Sequence, residues 1–253
     1  MKIAVCLKQV PARDWLPRLD DSRTALHDRD ATWETNEPDA YALEEALRLK
    51  ERYGGEVVAC AAGPARVVQV LREALARGAD RGIHVDDQRL AHADAFVTAA
   101  ALADAVRGED VDLVLTGLQS DDQGFAQTGV ILAERLHRAH ATIVMEIQVE
   151  DGRVRVKREL EGGWFQWVGM PLPAVLTVQS GINQLRYATL KGIMAAKKKE
   201  IRTVAVELAP SRQRVVGLAF PGKTRRTRML VGAPRETARD LVRLLRDEAR
   251  VLP

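Results

Sequence analysis

The sequence predicts an α/β protein: a doubly wound, mostly parallel sheet with a β-rich extension and a C-terminal arm that ends in a helix. Three observations lead there. Up to about residue 141, short β-branched runs alternate with amphipathic helical stretches, the pattern of a parallel sheet with crossover helices. Four strand-like runs then follow one another, with Asp151-Gly152 and Gly162-Gly163 at hairpin positions. A basic, extended stretch precedes a last helical run with one apolar face.

Taken in order, residues 3–7 form a first strand, and an irregular stretch follows. Pro38 stands near the start of a helix in which Leu43, Ala46 and Leu47 share a face, Glu44 and Arg48 pair at i,i+4, and Gly54-Gly55 ends the helix. Residues 56–61 are a second strand. Gly63-Pro64 opens a helix with Val68, Leu71 and Leu75 as its core stripe, closed by Gly78. Residues 83–85 are a short third strand, 92–106 an alanine-rich helix, and 111–116 a fourth strand, apolar apart from Asp112 and Thr116. Runs 143–149, 153–159, 164–168 and 174–178 read as strands, whereas 180–199 has no clean period. Residues 212–228 are basic and broken by Pro221-Gly222. From 234 to 252, Ala238, Leu241, Val242, Leu245, Ala249 and Leu252 line one helix face. The expected organisation is a domain over 1–200 and an arm with its helix over 201–253.

Composition excludes several function classes. The 253 residues carry 38 basic and 35 acidic side chains, net +3, so the surface is mixed and not polycationic. Aromatics are 4%, too few for the stacking platforms of single-strand binders, so no nucleic acid partner is expected. Cys6 and Cys60 lie in strand-like runs without a Cys or His at ligand spacing, which predicts a reduced compartment, no disulfide and no metal. The N-terminal apolar stretch is shorter than the roughly seven residues of a signal core. No run approaches about 18 apolar residues. The expected location is the cytoplasm of a bacterium or archaeon, or a mitochondrial matrix, without membrane insertion. Dinucleotide, P-loop, zinc-protease and nucleophile-elbow motifs are all missing, His27, His84, His92, His137 and His140 are scattered, and no catalytic residue is expected.

One loop stands out. Gly117-Leu118-Gln119-Ser120-Asp121-Asp122-Gln123-Gly124-Phe125-Ala126-Gln127-Thr128-Gly129 links the fourth strand to an apolar helix over 130–136. Loops at the carboxyl ends of parallel strands, where the strand order reverses, hold ligands in open α/β sheets. Amides at the next helix start accept phosphate, Gln127 and Thr128 add donors, and Gly129 leaves room for close backbone approach. The same residues also suit a plain polar turn with Ser and Asp as caps. Residue chemistry by itself reaches a nucleotide-binding candidate with an arm.

Motifs along nearly the whole chain carry a resemblance. They are Val5-Cys6-Leu7-Lys8-Gln9-Val10, Asn36 with Ala42-Leu43-Glu44-Glu45-Ala46, Gly63-Pro64, residues 78–85 (GADRGIHV) and Gln127-Thr128-Gly129. The most specific are Arg158-Glu159-Leu160-Glu161-Gly162-Gly163, residues 172–178 (LPAVLTV), Asn183-Gln184-Leu185-Arg186-Tyr187-Ala188-Thr189-Leu190 and Ile193-Met194-Ala195-Ala196-Lys197-Lys198-Lys199. In order and spacing the sequence resembles the β subunit of electron-transfer flavoprotein.

The resemblance implies a non-enzymatic electron carrier on an adenine-nucleotide-binding fold. Such a subunit pairs with an α subunit that holds most of the FAD. It accepts electrons from flavin dehydrogenases, such as the acyl-CoA dehydrogenases of fatty acid oxidation, and passes them to a quinone-linked oxidoreductase. It also implies AMP as a structural ligand, at Cys6, Asn36, Glu37, Pro38, Asp39, Ala62 and the loop Leu118 to Gly129. Residues 179–199 match the recognition loop that docks on dehydrogenases, with Leu190 as anchor and Arg186, Tyr187, Ile193, Met194, Lys197, Lys198 and Lys199 around it. By composition alone Leu190 reads as a core residue. Lys191 and Gly192 replace a common proline and asparagine, and Arg13 and Pro38 stand where aromatic residues often face the flavin, with Trp15 as a possible substitute for the first. The resemblance implies a C-terminus that wraps around α, so the apolar stripe of the last helix is expected to be buried there, with Arg225, Arg226 and Arg228 meeting acidic groups on α. Two rivals remain: a flavin-bifurcating member with a second FAD in place of AMP, in which valine is usual at Thr128, and an ATP-binding stress-type protein of the same fold. The latter needs a Ser/Gly-rich loop where Lys8-Gln9-Val10-Pro11-Ala12-Arg13 stands.

Overall fold

The most apolar runs become the middle of the sheet, where both faces must be covered. The computed structural model describes residues 1–222 and 227–252, in two units, Met1–Val216 and Gly217–Pro253. In the first, β1 (Lys2–Cys6) is central, with Ile3, Ala4 and Val5 wholly buried. A two-stranded antiparallel ribbon, β2 (Gln9–Pro11) and β3 (Trp33–Thr35), occupies the stretch expected to be irregular. Helix α1 (Glu37–Tyr53) follows and ends at Gly54, which has φ of 71°. Then come β4 (Glu56–Gly63), α2 (Val68–Arg77), β5 (Arg81–Asp86), α3 (Ala95–Arg107), β6 (Leu113–Gly117) and α4 (Thr128–Arg135). In α2 the buried stripe is Val70, Leu71, Ala74 and Leu75, while Val68 is half-buried. Helix α3 starts later than expected because Asp94 caps it.

Strands β7 (Ala139–Glu150), β8 (Arg153–Glu159), β9 (Phe165–Pro171) and β10 (Ala174–Val178) come next. β10 does not extend the antiparallel run. It returns to lie parallel between β6 and β7, all five of its residues buried. Helix α5 (Leu190–Ala196) and strand β11 (Ile201–Val204) follow, and β11 joins the sheet parallel to β5. The order is β11-β5-β4-β1-β6-β10-β7-β8-β9, with only the last two pairings antiparallel. One core lies under α1 and α2, and a second under α3 and α4. The chain runs outward from β1 to β5 and then crosses to β6, so the strand order reverses between β1 and β6.

The second unit holds α6 (Pro234–Asp247), started by Pro234 and with no buried residue. Its apolar residues Leu241 and Val242 are about half exposed. Arg228 pairs with Glu248 at 3.1 Å, whereas Arg225 and Arg226 lie outside the described residues.

Candidate functional site

At the reversal point the start of α1 is wedged between the ends of β1 and β6. Gly117 is required there: a Cβ would stand 2.6 Å from Asp39 Oδ1 and 2.6 Å from Pro38 Cβ. The buried Asp39 carboxylate accepts the amides of Lys8 (2.8 Å) and Gly117 (2.7 Å), tying the two strand ends together. Burial pushes its carboxyl up to about 6, and the two amide bonds work in the opposite direction.

The first half of the loop is tied to this wedge. Buried Asn36 donates from Nδ2 to the Gln119 carbonyl (3.1 Å) and accepts the Asp121 amide at Oδ1 (2.9 Å). Asp121 in turn accepts the Glu37 amide at the first turn of α1 (3.3 Å). Lys8 Nζ donates to Ser120 Oγ (3.2 Å), Asp122 Oδ1 (2.7 Å) and Gln123 Oε1 (3.1 Å). Burial would raise the Asp122 carboxyl, but Lys8 and the loop's own donors hold it below the ordinary range. Arg13 pairs with Glu37 and lies 3.8 Å from Asp121. The acidic side chains of the loop are thus matched by cations.

The second half is open. Gly124 and Ala126 have φ of 64° and 53°, and Phe125 is half-exposed. α4 begins with Gln127 in the cap position, no side-chain cap and no acidic residue in its first turn. Its first amides therefore present partial positive charge toward the loop. Gly129 does something other than expected: a Cβ would stand 2.5 Å from Thr177 Cγ2 and 2.8 Å from Thr116 Oγ1, so the glycine seats α4 on the sheet. Leu118 donates its amide to the Val178 carbonyl (2.9 Å). Cys6 ends β1 with its thiol pushed up by burial, and Ala62 lies half-buried near the end of β4. A cavity of about 410 Å³ beside the α4 start is lined by Asp94, Phe96, Ala126, Gln127, Val130, Ile131, Arg212 and Gln213. Only two of these belong to the predicted site. Sequence reading missed the cross-tie by Lys8, although a lysine two residues past a central strand is within reach of any loop at that end.

The segment 179–199 is fastened on α1 and α2. Arg186 is held by Glu44 (2.8 Å) and Glu51 (2.6 Å). Thr189 caps α5 through the Gly192 amide (3.0 Å), and a Cβ at Gly192 would stand 2.3 Å from the Ala76 carbonyl oxygen. Arg72 of α2 donates to the carbonyls of Ala196 and Lys199, and Lys199 Nζ donates back to those of Leu75 and Ala79. Arg186 and Lys199 are therefore engaged within the chain. Tyr187 (94% exposed), Leu190 (83%), Met194 (70%) and Ile193 (44%) face outward with exposed Lys197 and Lys198. The composition-based reading of Leu190 as core is overturned.

The profile of the Electron transfer flavoprotein domain matches residues 24–209. The chain belongs to the electron transfer flavoprotein family. It is 36% identical to the electron transfer flavoprotein subunit beta of Methylophilus methylotrophus over 98% of each chain. With the subunits beta of Sus scrofa and Homo sapiens it shares 39% and 38% identity, over 83% of each chain in both cases. It is thus a beta-subunit member, a component of an electron carrier and not an enzyme of the usual kind. Among the described residues no group of three His, Cys, Asp or Glu side chains could hold a metal, and no helix is long and apolar enough to cross a membrane.

Proposed function

We propose that this chain is the beta half of a heterodimeric electron transfer flavoprotein that binds AMP structurally at the switch-point loop and helps an alpha subunit hold FAD. Electrons arrive from flavin dehydrogenases such as acyl-CoA dehydrogenases and leave to a quinone-linked oxidoreductase. The observation that carries the reading is the loop itself, cross-tied by Asn36 and Lys8 and opening onto the uncapped first turn of α4. Backbone amides at a helix start suit a phosphate, and pairing of Asp121 and Asp122 with Arg13 and Lys8 removes the repulsion those carboxylates would exert on it. Cys6 and Ala62, at neighbouring strand ends, suit an adenine edge through main chain and apolar contact, since Cys6 keeps its proton. The redox chemistry is that of the flavin. Arg13, half-buried Trp15 and the α1 start are the residues of this chain that would meet it, Pro38 being buried in the wedge.

The dehydrogenase surface is α5 with Tyr187, Leu190, Ile193 and Met194 as an apolar centre and Lys197 and Lys198 at its rim. Arg186 and Lys199 hold it from behind. The arm and α6 pack on the alpha subunit, which would cover the half-exposed Leu241 and Val242. Ligand released from the purified heterodimer tests the site: AMP is colourless and FAD yellow. AMP supports the reading, and a second FAD per heterodimer would replace it with the bifurcating type.

A further inference from the structure

From the end of β11 onward the chain stays fastened to the core. Val204, Val206 and Leu208, alternate residues of an extended run, pack against the second core. Three residues further on, the chain meets Asp94, a buried carboxylate at the start of α3. Asp94 Oδ1 accepts the Val97 amide (2.8 Å), the ordinary work of a helix cap. Asp94 Oδ2 accepts Ser211 Oγ (2.7 Å), the Arg212 amide and the Gln213 amide (2.9 Å). The Arg212 guanidinium lies over the Phe96 ring, 5.2 Å from its centroid.

We infer that Asp94 is a positioning residue that latches residues 211–213 to the start of α3 and so fixes the point from which the C-terminal arm leaves the core. A cap needs one oxygen. Here the second is filled by three donors from a segment more than a hundred residues away in sequence, two of them consecutive amides. Burial alone would raise this carboxyl, yet the bonds from Val97, Ser211, Arg212 and Gln213 hold it at about 2, so at any ordinary pH it is ionised and accepts all four. Its role in seating the arm on an alpha subunit rests on the function proposed above. The latch itself does not.

Asp94→Ser separates the two roles, because serine caps a helix about as well as aspartate but has no second oxygen to reach the strap. Asp94→Asn turns an amide NH₂ toward the three donors and serves as a second variant. In the full-length chain, both should raise amide exchange at Arg212 and Gln213, and tryptic cleavage after Arg212, by at least about tenfold, while Val97 stays protected. Ser211→Ala, which removes one donor, should give a smaller change of the same kind. Native exchange and cleavage in Asp94→Ser and Asp94→Asn would overturn the latch. Measured alongside, retention of the alpha subunit should fall. Unchanged retention with a freed strap would refute the arm's dependence on the latch.

Discussion

Asn36→Ala is the sharpest perturbation of the loop proposed to hold the nucleotide, because one buried side chain supplies both a donor to the Gln119 carbonyl and an acceptor for the Asp121 amide. Alanine removes both bonds. The orphaned groups sit on a surface loop and can turn to water, so the lower end of the penalty applies, about 1 kcal/mol per bond and about 2 kcal/mol in all. That amount reduces the ordered-loop population, and with it nucleotide affinity, by up to about 30-fold. In a unit of this size the melting temperature should fall by roughly 4–8 °C. Nucleotide released by acid from purified protein and quantified by chromatography, beside a thermal melt, gives both numbers. A lower melting temperature with full nucleotide content would show that the tied loop does not hold the ligand. An unchanged melting temperature would show that the tie contributes nothing.

Other outcomes follow from the same geometry. Leu190→Ala should slow flavin reduction by the partner dehydrogenase by about 30-fold, the worth of an apolar anchor of about 2 kcal/mol, with flavin content and melting temperature unchanged. A fall in melting temperature with native transfer rates would count against the anchor role. Truncation after Val216, which spares Leu208 and the bonds at Asp94, should leave a folded core that no longer co-purifies with the alpha subunit. Co-purification at full flavin load would mean that α6 serves its own chain. Glu109 is held at about 2 by Arg81 first and then Lys2, and it also pairs with Arg202. Its folded pKa lies below the unfolded value, so its contribution to stability is present above about pH 4.5 and is lost as pH falls toward 2. Glu109→Gln should therefore lower the melting temperature much more at pH 7 than near pH 2.5, and a deficit independent of pH would contradict this.

Much of the architecture is legible in the sequence, because buried parallel strands read as apolar runs and the loop after β6 is set apart by its polarity. What escapes depends on partners distant in sequence. β10 looks like one more hairpin strand, and only the pairing of Ala174 through Val178 with β6 places it inside the parallel sheet. β11 and α5 are too short to show a period, and α5 is held by Arg72 reaching from α2 and by Lys199, just past its own end, reaching back to α2. Glycine reads as a turn or cap. At Gly117, Gly129 and Gly192 it instead permits close approach of an element the local sequence does not reveal. For that reason a substitution at Gly129 would probe the seating of α4 and not ligand binding, and the loop is better tested at Asn36. Leu190 shows the limit of composition, since whether a leucine is covered is decided by where its helix docks.

Whether this chain is half of an electron carrier is decided by co-expressing it with an alpha subunit and mixing the purified complex with a reduced flavin dehydrogenase. One flavin per heterodimer is expected, reduced rapidly by the dehydrogenase and reoxidised by a quinone-linked acceptor. A complex that carries no flavin, or whose flavin is not reduced by any flavin dehydrogenase, would contradict it.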